Sequence, residues 1–562
     1  MTTYNTSYDI SHDFGGGEYG RSVEFSEENY TVVIGAPLHA DNSELSKHGL
    51  VDIFRYIDGS WQQLGSSIIG NTTDSYFGRS VSISNNGNII AGGADSVGSR
   101  PGYVKVFEYD ESTDSWSQLG SDISGESNYD QSGISVSLNG DGTIVAIGAQ
   151  KNDGTGTNAG HVRVYEWSGT SWSQKGSDID GESAGDLFGA AVSLNTDGLT
   201  LVVGGYKNTG GGNKSGHVRV YEWSSSDWAQ KGSDINGSTN DLMGKAVDIN
   251  GDGTIIVVGS KDGSNGSTGN VRVFEWSGSS WDQKGSDIDG TYSGGHFGYN
   301  PLSDGSSVSI SLDGSIIVGG AYVAHSNGYQ TGASQVYEWN GSSWVQLGSN
   351  IIGDFGSSGQ FEGFTVSVIK NSITTIVATG NPRYEESGGY NQGRVRIFQL
   401  SGGEWDQTMP FGICFCKGTL IKTDQGEIEI ENIDVSKHTI DENNIVKIVK
   451  SLLDDENIVC ILKNALGEGN PHTDTYVSNG HMILDENNNL VKAKTLLRRS
   501  EYDKFKSVPY NGETVYNVLL NDYELIEANG LIAESLHPSK YDVNIPHMRK
   551  RAKPSWVSDK IL

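Results

Sequence analysis

Along most of its length the chain alternates apolar and polar positions in short runs, broken by Gly, Asn, Asp and Ser. Alternation of period two describes a strand with one buried face, and these breakers describe tight turns between strands. The runs themselves recur. VSLNGDGTIVAIGAQ followed by HVRVYEWSGTSWSQKGSDIDG gives way to VSLNTDGLTLVVGGY followed by HVRVYEWSSSDWAQKGSDING. The period is about 55 residues, and one tryptophan per copy fixes the register: Trp61, Trp116, Trp172, Trp228, Trp281, Trp344 and Trp405, seven copies in all. A fixed period of this length indicates a solenoid or a propeller.

Each copy holds four runs suited to strands, for example FGAAVSL, LTLVVGGY, HVRVYEW and SWSQKGSDI. Valine and aromatic residues dominate them, as a pleated, half-buried surface prefers. Asp141-Gly142, Asp197-Gly198 and Asp252-Gly253 supply the positive φ that hairpin turns require. Four strands in each of seven copies predict an all-β, seven-bladed β-propeller over residues 1–410. The last copy lacks the phrase that other copies carry after their tryptophan, as in Gly120 Ser121 Asp122 Ile123. Ser7 Tyr8 Asp9 Ile10 carries that phrase instead, so the N-terminal segment is expected to complete the last blade and remove an exposed edge.

The copies resemble the FG-GAP repeats of integrin-type propellers, in Phe77 Gly78 Arg79 Ser80 Val81 and in Gly35 Ala36 Pro37. Such repeats often carry calcium on a DxDxDG loop, for which Asp248, Asn250 and Asp252 before Gly253 are the nearest match. Sibling loops have Ser137 or Ser193 at the first position, which removes a carboxylate from an ion that wants six to eight oxygens. A hairpin turn is therefore expected there rather than a metal site. His161 and His217 recur at one position of the repeat, which indicates a structural role. With no catalytic set in the repeats, the propeller reads as a binding or scaffold module.

Composition narrows the partners. A formal charge of −31 repels phosphates and argues against nucleic acid, leaving a protein or glycan as the expected ligand. Neither an apolar run of membrane-spanning length nor a secretory leader stands out, and the compartment stays open. A monomer without cofactor or metal is expected. Three cysteines are too few and too clustered for a disulfide framework.

The period stops at Ile413 Cys414 Phe415 Cys416 Lys417 Gly418 Thr419 Leu420 Ile421, and glycine gives way to Ile, Leu, Lys and Asn. Runs such as EIEIENI, NIVCILKNAL and ETVYNVLL predict a second, small all-β domain, assigned to residues 411–538 with a tail over 539–562. CFCKGTLIKT resembles the opening block of Hint domains, the hedgehog and intein self-processing fold. VSNGHMIL resembles the second block, with Ser478 in the usual threonine place and His481 as its histidine. VYNVLL with EANGLIAES is similar to the closing block, at Tyr516, Asn517, Asn529 and Gly530.

These residue types suit one reaction. A thiol beside its own preceding carbonyl can turn the Ile413–Cys414 amide into a thioester, which divides a hard cleavage into two easier steps. The departing amide nitrogen needs a proton, and His481 is the candidate donor because histidine titrates near working pH. The resemblance gives Ser478 the task of orienting that histidine or bonding the scissile amide. Splicing relatives end the closing block in His-Asn, whereas this chain has Glu534 Ser535. Neither side chain makes the succinimide that releases a C-terminal segment, so one-sided cleavage of the hedgehog-like or Vint-like kind is expected, autocatalytic and single-turnover. The competing expectation is a binding or adhesion propeller with a degenerate, unreactive Hint domain. Cys416 falls at a variable position of the block, and Cys460, in IVCIL, is expected in the core.

Overall fold

The computed structural model describes residues 9–11, 17–40, 47–57, 60–95, 100–261, 268–292, 294–300, 307–326, 329–353, 361–370, 375–384, 393–401, 404–406, 415–416, 419–434, 437–440, 443–451, 457–461, 475–477, 482–484, 490–492, 505–509, 515–520, 525–528 and 531–534. By its internal contacts the chain divides into two compact units, Met1–Tyr56 with Trp61–Phe398, and Ile57–Ser60 with Gln399–Leu562.

Seven antiparallel sheets follow one another along the repeats and make the propeller's blades. The third blade is representative. Ser132–Leu138 is its innermost strand, then Ile144–Ala149, His161–Trp167 and the outer pieces Trp172–Gln174 and Ile179–Asp180. The run expected as a single fourth strand is therefore broken. Both pieces pair with His161–Trp167, Trp172 opposite Trp167 and Ile179 opposite Val162. Gly176 sits between them at φ +83°, a left-handed conformation that ends one ladder before the other begins.

The last blade closes as the repeat phrase predicts. Asp9–Ser11 pairs with Arg394–Ser401, Ile10 lying opposite Val395. This reproduces the pairing of Ile179 with Val162 inside the third blade.

Contacts between blades explain three recurring residue choices. A Cβ on Gly35 would lie 2.1 Å from the Gly78 carbonyl of the next blade, and one on Gly380 would lie 2.2 Å from that of Gly20. Only glycine permits so close an approach, which accounts for the glycine near the end of each second strand and for its partner glycine at the start of the neighbouring blade's inner strand. Tryptophan ties five blades each to the one before it: Trp116, Trp172, Trp228, Trp281 and Trp344 donate their Nε1–H at 2.8 to 2.9 Å to the carbonyls of Leu64, Leu119, Lys175, Lys231 and Lys284. Such a donor satisfied at a packed seam combines apolar burial with direction. Valine, isoleucine and alanine fill the space between sheets, as in the cluster of Ala146, Val162, Phe188, Val192 and Val203.

The C-terminal unit is built of two further sheets. One has seven strands in the order Thr439–Ile440, Asn443–Ser451, Val515–Leu520, Phe415–Cys416, Thr475–Val477, Asn457–Ile461 and Phe505–Pro509. The other has six, in the order Gly426–Glu429, Leu420–Thr423, Leu525–Ala528, Leu531–Glu534, Met482–Leu484 and Leu490–Lys492. Ile421, Ile461, Thr475 and Ala528 are fully buried within it. All-β architecture thus holds for both units, and no helix among the described residues is long and apolar enough to cross a membrane.

Candidate functional site

Cys414, Ser478 and His481 lie outside the described residues, as do Ile413, Asn529 and Gly530. Their immediate neighbours are placed, and these fix how the three sequence blocks meet. Phe415, next after Cys414, sits in the middle of the seven-stranded sheet. It pairs on one side with Val477, the residue before Ser478, and on the other with Tyr516 of the closing block. The opening, second and closing blocks therefore supply three adjacent strands, although some sixty residues separate Phe415 from Val477 and nearly forty separate Val477 from Tyr516.

Each block then crosses to the other sheet. Phe415–Cys416 leads to Leu420–Thr423, Thr475–Val477 leads to Met482–Leu484, and Val515–Leu520 leads to Leu525–Ala528. Met482, next after His481 in the sequence, opens the second block's strand in the six-stranded sheet. Buried Thr419, just past Gly418, accepts the Ile430 N–H on its carbonyl at 2.9 Å, which anchors the opening block as it leaves the first sheet. Cys460 lies within Asn457–Ile461, opposite Tyr476 and Lys506. Glu534, standing where splicing relatives have their terminal His-Asn, is paired through its backbone with Leu525.

The propeller presents a second polar constellation, along its axis. One side chain per blade faces the central channel: Glu24, Ser82, Ser137, Ser193, Asp248, Ser309 and Ser367. Their oxygens accept main-chain N–H groups from the next blade, Ser82 from Leu138, Ser137 from Leu194, Asp248 from Ile310 and Ser309 from Val368. Ser367 accepts from Phe25, which carries the ring across the closure. Enclosure by protein, with Asp248 facing them, pushes the carboxyls of Glu24 and Glu27 up to about 8. Enclosure also raises Asp248, against hydrogen bonds from Ile310 and Ser193 that oppose the shift.

This geometry separates the members of the proposed calcium loop. Asp248 accepts a 2.8 Å hydrogen bond from Ser193 in the channel. Asn250 and Asp252 instead accept the N–H groups of Ile255 and Thr254 at 2.8 and 3.0 Å, the work of a hairpin turn. The sequence signal for the channel ring was a polar residue at one inward position of every copy. It was hidden because serine is common throughout the repeats.

His161 and His217, read as structural, open their strands fully enclosed between blades. Glu126 with Asp178, and Glu182 with Asp234, surround them, a grouping that sequence reasoning missed. The signal was present: Gly-Glu-Ser occurs at 125–127 and 181–183, each 35 residues before a histidine, and where Asn270 replaces the histidine Ser238 replaces the glutamate.

Residues 413–540 match the family model described as "Hint domain". No curated protein matches the chain significantly. Among solved structures, the chain is similar to a hypothetical selenium-binding protein from Sulfolobus tokodaii, at 9% identity and a TM-score of 0.45, over 68% of this chain and 90% of that one. Sqt1 of Saccharomyces cerevisiae aligns at 10% identity and a TM-score of 0.40, over 83% and 97% of the two chains. The Dos1 propeller aligns at 12% identity and a TM-score of 0.38, over 68% and 84%. With a Hint domain at the C-terminus and seven blades before it, the coarse architecture of the chain is a propeller followed by a Hint domain.

Proposed function

We propose that the C-terminal Hint domain cleaves its own N-terminal junction and releases the propeller as a binding module. Cys414 Sγ attacks the carbonyl carbon of Ile413, and the C–N bond to Cys414 breaks as His481 protonates the departing nitrogen. The product is a thioester between Ile413 and the Cys414 thiol. Water, or another nucleophile, then takes the acyl group and returns the thiol. Ser478 positions His481 or bonds the scissile amide.

The observation that carries this reading is the register of Phe415. It lies between Val477 and Tyr516, so strands from the opening, second and closing blocks run side by side. A nucleophile and its helpers from distant blocks need that kind of convergence. Glu534 and Ser535 limit the outcome to N-terminal cleavage, since neither forms a succinimide. The domain limits 1–410, 411–538 and 539–562, and an FG-GAP-type propeller with a protein or glycan ligand, belong to the same proposal.

Freshly expressed full chain on a denaturing gel tests it. Wild type yields a large propeller fragment and a small C-terminal one, and the mass of the large fragment ends at Ile413. Cys414→Ala stays intact. If wild type also stays intact, with and without added thiol, the domain is degenerate and the protein is a binding propeller alone.

A further inference from the structure

Two pockets between neighbouring blades repeat one arrangement. Glu126 lies on the connection into the third blade, His161 begins that blade's third strand, and Asp178 precedes its outermost piece. Their ligand atoms lie within 4.8 Å of one another, as do those of Glu182, His217 and Asp234 one blade further on.

The first pocket has the shape and charge of a cation site. His161 is 1% exposed, and its Nδ1 faces three carboxylates. Asp178 Oδ2 stands 3.7 Å away, Asp180 Oδ1 3.9 Å and Glu126 Oε2 4.0 Å. These separations are too long for hydrogen bonds. They exceed by a few tenths of an ångström the spacing of about 3.4 Å between ligands around a tetrahedral ion with bonds of about 2.1 Å. Three carboxylates meet a single guanidinium, and Arg163 spends its shortest bond, 2.7 Å, on the Ser124 carbonyl. Gln174 holds the other oxygen of Asp178 at 2.6 Å. That contact orients Oδ2 toward the histidine, as partners of metal-binding carboxylates do.

The second pocket supplies an internal contrast. His217 is fully buried and neither ring nitrogen has a hydrogen-bond partner. Here, however, Arg219 donates to both oxygens of Asp234 at 2.8 and 2.9 Å and pairs with Glu182, and Asn236 stands in the place of Asp180. The guanidinium takes the carboxylates that a metal would need.

We propose that Glu126, His161 and Asp178 bind a first-row divalent cation, with Zn²⁺ as the reference ion and Asp180 as a neighbouring negative charge, and so clamp the second blade to the third. Two carboxylates and one imidazole nitrogen suit such an ion. The Glu182 pocket is its Arg-filled counterpart.

Full-length protein carrying Cys414→Ser, stripped with chelator, is titrated with Zn²⁺ by calorimetry, and Co²⁺ absorption reports the ligand geometry. One site is expected. Asp178→Asn weakens it by about 100-fold and Asp180→Asn by about 10-fold, while circular dichroism confirms unchanged folding. Asp234→Asn leaves it intact, and Arg219→Gln raises the stoichiometry from one to two. The proposal is overturned if the Cys414→Ser protein binds no Zn²⁺, or if binding is equal in the Asp178→Asn/Asp180→Asn double variant.

Discussion

The propeller and the C-terminal unit distribute their essential residues in opposite ways. In the propeller, each role is repeated around the ring: a glycine against a neighbouring carbonyl, a tryptophan donating to the previous blade, a side-chain oxygen in the channel. In the C-terminal unit, the proposed chemistry rests on Cys414 and His481, each occurring once. Repetition spreads stability over many equivalent contacts, whereas the reaction has no second copy of its nucleophile. Single substitutions should therefore be graded in the first unit and decisive in the second.

The largest effect is expected at the junction. Cys414→Ala abolishes cleavage, and His481→Ala slows it by about 10²- to 10³-fold, as removal of a single acid or oxyanion donor typically does; a time course of fragment appearance measures both. Comparable rates in His481→Ala and wild type would remove the histidine from the reaction and blunt the contrast. Next comes a packing substitution. Gly148→Val, whose Cβ would lie 2.0 Å from the Gly189 carbonyl, should cost about 3 kcal/mol in a denaturant titration. Trp172→Phe keeps the aromatic bulk but loses the hydrogen bond to Leu119, a change of about 1 kcal/mol. Similar losses at Trp116, Trp228, Trp281 and Trp344 would confirm that the load is shared, and one outlier would identify a weak seam.

The smallest effect is one of pH. In the unfolded chain Glu24 and Glu27 lose their protons in the ordinary carboxylate range, but in the channel they hold them up to about pH 8. The folded state binds more protons across that window, so stability falls as pH rises from about 4.5 to about 8. Glu24→Gln should flatten the profile of melting temperature against pH and raise its alkaline end. An unchanged slope would show that the channel carboxylates are already ionised or balanced.

Legibility follows the same division. Seven tryptophans and the displaced phrase at Ser7 Tyr8 Asp9 Ile10 disclosed the blade count and the closing strand, because a phrase that follows six of seven tryptophans exposes its own omission. The break in the outer strand escaped notice, since Lys175 Gly176 Ser177 reads as continuous polar edge until Gly176 adopts a positive φ. Hint-like blocks were readable from short strings around Cys414, Ser478 and His481, and the adjacency of Phe415, Val477 and Tyr516 adds a spatial relation that no string contains. The grouping of Glu126 with His161 was not legible for a related reason. The two are 35 residues apart and meet only because one blade's exit lies beside the next blade's third strand.

Pairing of Ile10 with Val395 also bears on the order of folding. During synthesis Asp9–Ser11 emerges first and waits for Arg394–Ser401, so ring closure comes after the intervening blades have formed. The entropy of joining such distant ends grows only with the logarithm of the separation, which leaves the step late but affordable. Until then, the unpaired edge of Arg394–Ser401 is open to the equivalent strand of a second chain, so strand exchange between nascent copies is the misassembly this architecture invites.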